Sequence, residues 1–388
     1  MKVVMVKYFF DTEANYQINE MAKAWPKGNE LIIITSKYLD YVHKYYDDQQ
    51  IIRDRVFEAK YGVKIVRLDC WFRLGTRVLF KDLKSTVDSF FPDVLFIHGL
   101  GDFNDLLYLY GRNNYLTFRD CHMSWIASKN RFAKLYYRFY AMFFAPFINK
   151  LRKYELVYAL GLEEKEYIKA VGIADDRIAM LPHGYNKNTY FSSFQVRDEF
   201  RNRLGIADDE LLIAYTGKFD YAKQPDINLE VYSQLGREFI AKHKLKFLFI
   251  GPINNLYYDN IFSVKLNNSD FKDRIIILPP VPADDLVKVY NGADLCFWPR
   301  ETTLSSIHAQ VCGCPVVMEE HLSNTERVVD KSFLFEPGSN KDAVDKLKNA
   351  IARVNEGYVV NAFELDDREY NAQIKKMIGS WQSILARR

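Results

Sequence analysis

The sequence has few cysteines and no long hydrophobic run. Its five cysteines form no CxxC pair, and such spacing is typical of free thiols in a reducing cytoplasm. A disulfide between Cys312 and Cys314 is the alternative, and we favour packing. No stretch reaches the roughly 18 apolar residues that span a bilayer. The first ten residues, MKVVMVKYFF, are too short for a signal sequence, and no small-residue cleavage site follows. We therefore expect a cytoplasmic protein that at most binds a membrane surface.

Signatures of several other functions are also missing. Lys plus Arg number 53 and Asp plus Glu 50, so the overall charge does not favour nucleic acid as a partner. Walker A and G-x-S-x-G patterns are absent. No histidine pair has a zinc-type spacing with thiols or carboxylates. We therefore predict no metal.

Short apolar runs alternate with amphipathic stretches along 388 residues, of which 48% are hydrophobic. Continuous Val, Ile and Leu runs are typical of buried parallel strands, and two βαβ series predict two doubly wound α/β domains. The turn-rich segment Pro182–Phe191 separates the series. We predict an N-terminal domain over 1–185, a C-terminal domain over 186–367, and a segment over 368–388 that returns to the first. A helix is predicted over Arg77–Phe90.

Two stretches follow predicted strands where ligands bind in such sheets. In AYTGKFDYAKQPD, Gly217 would let the backbone approach a ligand, and Lys218 and Lys223 could neutralise a diphosphate. The alternative is a pair of solvated loop lysines. In RETTLSSIHAQVCGCPVV, Thr302 or Thr303 could cap a helix that Gly313 ends. Its N-terminal amides would form an anion site.

Upstream of that second stretch, Asp284 is the predicted N-cap of a helix that precedes the strand Leu295–Trp298. Two histidines also close predicted strands on the same side of the N-terminal domain. They are His98 and His122, and a core role is the alternative for each. A dinucleotide site at Gly99 and Gly101, with Asp120 about twenty residues further on, is a further alternative. It is disfavoured because Asn104 stands where a small residue belongs.

Taken in order, these motifs resemble the donor half of glycosyltransferase family 4, the glycosyl transferases group 1. The similarity covers GKFDYAKQ, the GADLCFWP strand and ExxxxxxH-AxxxGxPVV, with RIAMLPHGYNKNTYF between the domains. The resemblance implies a GT-B fold, in which two Rossmann-like domains face each other across a cleft. It also implies a retaining, nucleotide-sugar-dependent transferase. Asp-x-Asp, the usual sign of metal-dependent sugar transfer on another fold, does not occur.

The resemblance assigns roles to individual residues. Lys218 and Lys223 match the basic pair on the donor diphosphate, and His122 matches a histidine near the reacting centre. Glu301 is the candidate for the acid that reaches the donor sugar. His308 occupies the place of the acid that holds the ribose, with Gly217, Thr303 and Leu304 completing the donor site.

Three departures from the family pattern stand out. FDTEANY replaces a Gly-Gly acceptor loop, a histidine replaces the second acid, and the interval from Glu301 to His308 is one residue short. The acceptor is expected to be a glycan or lipid-linked sugar in bacterial surface-polysaccharide synthesis. A non-catalytic sugar-nucleotide-binding or scaffold protein of the same fold is the alternative function.

The segment Cys121–Tyr154 contains no Asp or Glu, and basic and aromatic residues alternate in it. A basic helix with aromatic rings suits the interface of an anionic leaflet. We therefore expect an anionic membrane surface as a candidate partner through 126–153. A buried helix with a solvated rim, or an aromatic groove for the acceptor, is the alternative. No recognition motif in the segment favours nucleic acid.

Overall fold

The computed structural model describes residues 1–14, 16–39, 45–74, 77–123, 132–300 and 303–387. The chain divides into two compact units, Met1–His183 with Tyr370–Arg388, and Gly184–Glu369. The boundaries predicted at 185/186 and 367/368 lie two residues from these. The predicted α/β class is confirmed, since each unit contains its own parallel sheet.

Within its described residues, the first unit has a seven-stranded parallel sheet in the order β3-β2-β1-β6-β7-β8-β9, and a separate hairpin of β4 and β5. Its strands are β1 Lys2–Lys7, β2 Glu30–Ser36, β3 Lys64–Leu68, β4 Cys70–Leu74, β5 Arg77–Phe80, β6 Val94–Ile97, β7 Leu116–Cys121, β8 Val157–Ala159 and β9 Ile178–Met180. Its helices are α1 Gln17–Lys23, α2 Asp48–Tyr61, α3 Leu83–Ser89, α4 Phe103–Tyr110, α5 Ala133–Phe143, α6 Ala145–Asn149, α7 Leu162–Ala170 and α17 Tyr370–Leu385.

The described part of the second unit has a six-stranded parallel sheet in the order β12-β11-β10-β13-β14-β15. Its strands are β10 Leu211–Thr216, β11 Leu245–Ile250, β12 Ile275–Leu278, β13 Leu295–Trp298, β14 Val316–Glu319 and β15 Leu334–Phe335. Its helices are α8 Phe194–Leu204, α9 Asp226–Leu235, α10 Arg237–Lys242, α11 Asn255–Tyr257, α12 Ser263–Asn267, α13 Leu286–Gly292, α14 Ser305–Val311, α15 Leu322–Arg327 and α16 Asn340–Asn355.

Alternate residues of the central strand β1 serve opposite faces of the first sheet. Val4 and Val6 belong to one apolar cluster, and Val3 and Met5 belong to the other. All four are buried. Burial on both faces explains why this strand is continuously apolar rather than alternating.

The C-terminal helix α17 packs on the second of these clusters. Trp381 is fully buried and stacks on Phe118 with ring centroids 5.0 Å apart. Its indole Nε1 donates a hydrogen bond to the Tyr158 hydroxyl at 2.9 Å. The last helix is thereby part of the core of the first unit.

The helix predicted over Arg77–Phe90 is wrong in its first turn. Arg77–Phe80 is the second strand of the antiparallel hairpin, and only Leu83–Ser89 is helical. Val78 and Phe80 are buried while Arg77 is exposed. This alternation is the period of a strand with one buried face. All five cysteines are free thiols, and Cys312 and Cys314 are both buried, which agrees with packing.

Candidate functional site

The loop after β10 carries three of the predicted donor residues. Gly217 follows the strand directly, Lys218 is exposed and Lys223 is half-buried. The Asp220 side chain shapes the loop by accepting the backbone N–H of Lys223 at 2.8 Å. Lys218 is fixed through its carbonyl, which accepts the Tyr215 hydroxyl at 2.9 Å. These two bonds fix the backbone of the loop that carries both lysines.

The next strand end, after β11, packs tightly against this loop. A Cβ at Gly251 would lie 1.8 Å from the carbonyl oxygen of Gly217, so a side chain cannot be accommodated there. The N–H of Phe219 donates to Pro252 O at 2.9 Å, and the N–H of Asn254 donates to Phe219 O at 3.0 Å. These bonds join two neighbouring strand-end loops into one rigid edge.

On the other side of β10, strand β13 leads to the predicted helix α14. Thr216, the last residue of β10, accepts the Trp298 indole N–H through its carbonyl at 2.8 Å. Its hydroxyl lies 3.0 Å from that of Tyr290. The carboxyl ends of these two strands are thus held together. Glu301 and Thr302 lie outside the described residues, so the predicted sugar-binding acid is not located.

The start of α14 differs from the prediction by one or two residues. The cap position is Leu304, whose side chain makes no cap bond. The Thr303 hydroxyl instead accepts the N–H of Ser305 at 3.2 Å. A similar correction holds for α13, where Asp284 belongs to a short 3-10 turn and the cap position is Asp285. In both cases an extra turn precedes the helix.

His308 lies on α14, at the edge of its buried face. Ile307 is fully buried and His308 is half-buried. The imidazole stacks on the Tyr190 ring with centroids 3.9 Å apart and planes at 11°. Burial lowers its pKa to about 4, although a backbone contact with Gly184 opposes the shift. His308 is therefore a neutral, fixed ring near neutral pH.

A charged cluster at the ends of β13 and β14 was not predicted. Arg300 Nη1 donates to Glu319 Oε1 at 2.6 Å, and His321 Nε2 lies 2.9 Å from Glu319 Oε2. The N–H of Gly338 also donates to Glu319. Burial alone would raise the pKa of Glu319, but these partners hold it below its ordinary value. No local motif marks the pair, since 19 residues separate Arg300 from Glu319.

In the first unit, the structure brings together both predicted histidines and an aspartate. Asp120 Oδ2 lies 2.6 Å from His98 Nδ1 and 3.1 Å from His122 Nε2. Its other oxygen accepts the N–H of Gly99 at 2.7 Å. Burial would raise the pKa of Asp120, but the two imidazoles hold it well below its usual range. Asp120 therefore orients both rings as a buried carboxylate.

The two histidines differ in exposure. His98 is almost fully buried, and burial lowers its pKa to about 4. His98 therefore has the core role that was stated as its alternative, although its ring also lines a cavity. The side chain of His122 is 31% exposed. His122 is thus the ring that a ligand can contact.

Both rings line a cavity of about 580 Å³ in the first unit. Lys7 at the end of β1 also lines it, together with Tyr8, Phe9, Leu74, Arg77, Gly99, Leu100, Asp102 and Met123. Burial lowers the pKa of Lys7, while the charges of Asp120 and Asp102 oppose the shift. The cavity offers imidazole, ammonium and apolar contacts. These groups can bind and orient a polyhydroxylated molecule.

A buried ion network supports one wall of this cavity. Arg119 is fully buried and donates to Asp102 Oδ2 at 2.7 Å, and it also bonds Asp105. The Tyr154 hydroxyl donates to Asp105 at 2.7 Å. Asp102 is the N-cap of α4, and Asp105 lies in the first turn of that helix. The network therefore fixes the loop after β6 to β7.

Among the described residues, His98, Asp120 and His122 are the group that could hold a metal ion, with ligand atoms within 4.8 Å of one another. Asp120 Oδ2 already contacts both imidazoles, and Oδ1 accepts the N–H of Gly99. A metal would have to displace these bonds. Metal independence therefore stays a prediction.

The segment predicted to bind membranes is described from residue 132 onward. It contains α5 and α6, and several of its apolar side chains are exposed. No described helix is long and apolar enough to cross a bilayer.

Solved structures similar to this chain identify the class of fold. HepE of Anabaena, in complex with UDP, has a TM-score of 0.74 and 14% identity over 99% of this chain and 100% of that chain. Sucrose-phosphate synthase of Thermosynechococcus elongatus has a TM-score of 0.72 and 12% identity over the whole of both chains. At such identities the likeness concerns the fold, which is the GT-B type with two Rossmann-like domains.

The family follows from the second unit. Residues 196–356 match the family described as glycosyl transferases group 1. The family resemblance predicted from the motifs is confirmed for this region.

Curated relatives agree with that family. The D-inositol 3-phosphate glycosyltransferase of Nocardia farcinica is 28% identical over 159 residues, which are 40% of this chain and 35% of the relative. That of Mycolicibacterium smegmatis is 32% identical over 127 residues, 31% of this chain and 27% of the relative. The matched regions thus span about a third of these relatives.

Proposed function

We propose that the chain is a retaining glycosyltransferase that uses a nucleoside-diphosphate sugar. The observation that carries the proposal is the family match over 196–356. This region contains the ordered loop with Gly217, Lys218 and Lys223 at the carboxyl edge of its sheet. Two ammonium groups at a strand end suit a diphosphate, whose negative charge grows as it leaves the sugar.

In this proposal the second unit holds the donor. Gly217 gives the backbone access to the diphosphate, and Lys218 and Lys223 neutralise it. The segment at Thr303 and Leu304 lies beside it, and His308 receives the ribose. Glu301 reaches the sugar. HepE is described in complex with UDP-glucose as well as UDP, so UDP-glucose is the first donor to test.

The first unit would hold the acceptor. Its cavity exposes His122 beside Asp120, which suits a hydrogen bond to the transferring sugar. In the reaction the bond between the anomeric carbon and the diphosphate oxygen breaks. A bond to an acceptor oxygen forms, and the acceptor proton leaves with the diphosphate. The product keeps the anomeric configuration of the donor.

We propose a glycan or a lipid-linked sugar as the acceptor, in bacterial surface-polysaccharide assembly on the cytoplasmic side of the membrane. The names of the curated relatives favour a second candidate, an inositol phosphate. The basic side chains Lys7 and Arg77 in the cavity would suit its phosphate. The two acceptors are distinguished by a panel of both classes with one donor.

The experiment is a donor panel, measured first by thermal shift and then by nucleotide release with and without acceptors. A stabilising donor, nucleotide release and a glycosylated product with retained configuration by NMR are expected. EDTA should leave the rate unchanged. If some donor binds but no donor releases nucleotide with any acceptor, the alternative of a non-catalytic sugar-nucleotide-binding protein is favoured. Inversion at the anomeric carbon would reject the retaining mechanism alone.

A further inference from the structure

An exposed apolar surface on the first unit extends beyond the segment singled out in the sequence. Trp71 on the hairpin is 70% exposed, Leu106 on α4 is 57% exposed and Phe139 on α5 is 49% exposed. Phe72, Tyr110 and Phe143 are exposed as well. We call these six residues the apolar surface. They come from three elements that are separate in the sequence.

A ring contact and a hydrogen bond connect the three elements. Phe72 of the hairpin meets Phe103, the first residue of α4, with centroids 5.3 Å apart. Tyr110 at the other end of α4 donates its hydroxyl to the carbonyl of Phe143 at 2.7 Å. On α4 the residues 103, 106 and 110 share one helical face. The hairpin, α4 and α5 are therefore in contact where this surface lies.

Cations predominate on the α4 and α5 side of this surface, whereas Asp69 and Asp82 are exposed on either side of the hairpin. From Leu106 to Tyr154 the only acidic residue in the sequence is Asp120, and it is fully buried. Lys134 and Arg138 are exposed on α5, and Arg112 is exposed beyond the end of α4. On the hairpin side, the ammonium of Lys81 lies 5.0 Å from the centre of the Trp71 ring. Cations thus accompany the apolar side chains without an exposed acid in that segment.

We propose that the apolar surface docks the first unit on an anionic lipid membrane, with the β4–β5 hairpin and α4 inserting beside α5. Aromatic rings suit the headgroup boundary, and lysine and arginine are attracted by anionic headgroups. A second copy of the chain fits less well, because a twofold contact would bring the same cations face to face.

The surface reaches the edge of the cavity that exposes His122. Leu74, at the end of the first hairpin strand, is exposed and also lines that cavity. Arg77, at the start of the second strand, lines it too. A lipid-attached acceptor would therefore reach the cavity from the membrane along the hairpin. This last step rests on the proposed function, whereas the docking itself does not.

The test is flotation of the full chain with vesicles of phosphatidylcholine alone or with about 30% phosphatidylglycerol. The wild type should float only with the anionic vesicles, and added salt should weaken binding. The variant Trp71→Ser/Leu106→Ser should partition about tenfold less, because two apolar side chains leave the interface. Lys134→Glu/Arg138→Glu should also bind less.

Matched controls come from the second unit. Val359→Ser/Phe363→Ser removes two apolar side chains of comparable exposure, and Lys242→Glu/Lys272→Glu reverses two exposed lysines. Both controls should float like the wild type, and all variants should keep the wild-type Tm. A wild type that ignores anionic vesicles would overturn the proposal, as would surface variants that bind like the controls.

Gel filtration tests whether a second copy of the chain covers the apolar surface instead of a membrane. A dimeric wild type with monomeric surface variants would show that a second copy covers this face and would reject the membrane. Flotation needs neither donor nor acceptor, so its failure leaves the proposed function intact. Normal flotation of a chain that turns over no donor would reject the proposed function alone.

Discussion

Asp120 Oδ2 lies 3.1 Å from Nε2 of His122, and the same oxygen holds the buried ring of His98. The carboxylate thereby fixes the orientation of the exposed ring from behind. Nδ1 of His122 is the nitrogen left for other partners. A hydrogen bond from a ring that is oriented in advance costs little reorganisation during reaction.

Removing the ring should therefore affect turnover more than donor binding. His122→Ala should lower kcat by on the order of 10² and change the donor KM little, because the proposed donor site is in the other unit. The measurement is kcat and donor KM with a fixed acceptor. Equal effects on both, or no effect, would assign His122 to structure alone.

Asp120→Asn tests whether the carboxylate acts through the rings. The amide keeps an acceptor for the N–H of Gly99 but loses the negative charge beside the two imidazoles. We expect a smaller loss of kcat than for His122→Ala, an altered pH profile, and no further loss when the two changes are combined. Additive losses would contradict a common mechanism.

The lysine pair after β10 gives the second prediction. Lys218→Ala/Lys223→Ala should weaken binding of a nucleoside diphosphate by about 2–4 kcal/mol, because two charge-assisted contacts are removed. Isothermal titration calorimetry of UDP measures the change. Lys242→Ala/Lys272→Ala is the control, since both lysines precede strands and lie toward the opposite edge of the same sheet. Unchanged affinity in the first variant would reject the diphosphate role.

The third prediction concerns the C-terminal helix. Trp381→Ala should destabilise the first unit by about 3–5 kcal/mol, since it removes a fully buried indole, its stack on Phe118 and its bond to Tyr158. Trp381→Phe keeps the ring contact and should lose less. Chemical denaturation measures both changes. If the two variants are equally stable, the stabilising role of the buried ring at position 381 is rejected.

Much of the fold could be predicted because buried parallel strands are continuous apolar runs. The run at Leu295–Trp298 was predicted to the residue. The hairpin was missed because Arg77–Phe80 also fits the start of an amphipathic helix. The available signal was Gly75-Thr76 between two β-rich runs. A short apolar run fits both the helical and the strand period, unless a turn beside it identifies a hairpin.

The site was harder to predict than the fold. His122 and the lysines stand at strand ends, where a general rule places ligands. Lys7 and Glu319 carry no local signature, and the spacing of Asp120 pointed only to the disfavoured dinucleotide site. They reach their partners only through the order of strands in each sheet, in which β1, β6 and β7 are neighbours. These contacts depend on which strands are neighbours in the sheet, so the spacing of motifs in the sequence could not predict them.

The stack of His308 on Tyr190 changes the pH dependence expected of the ribose site. A carboxylate accepts both hydrogens of a cis-diol, whereas a neutral imidazole has one acceptor nitrogen. If His308 had the ordinary imidazole pKa, its protonation near neutral pH would remove that acceptor and change the donor affinity. Burial lowers the pKa of His308 to about 4, so the ring stays neutral well below that range. We therefore expect a donor KM that is flat around neutral pH and rises only as the pH approaches that pKa.

Substitution tests the same residue. His308→Ala should weaken donor binding by on the order of 1 kcal/mol, from one neutral hydrogen bond, and His308→Glu should remain active.

The lowered pKa of His308 also determines how the stability of the fold depends on pH. The unfolded chain protonates this histidine near its ordinary pKa of 6.5, while the folded chain does not until about 4. The stability contributed by the neutral ring is thus complete above the first value and is lost as the pH falls toward the second. The measurements are donor KM and the free energy of unfolding against pH for wild type and both variants. If wild type and His308→Ala share one KM profile but differ in acid stability, His308 belongs to the core and the ribose role is rejected.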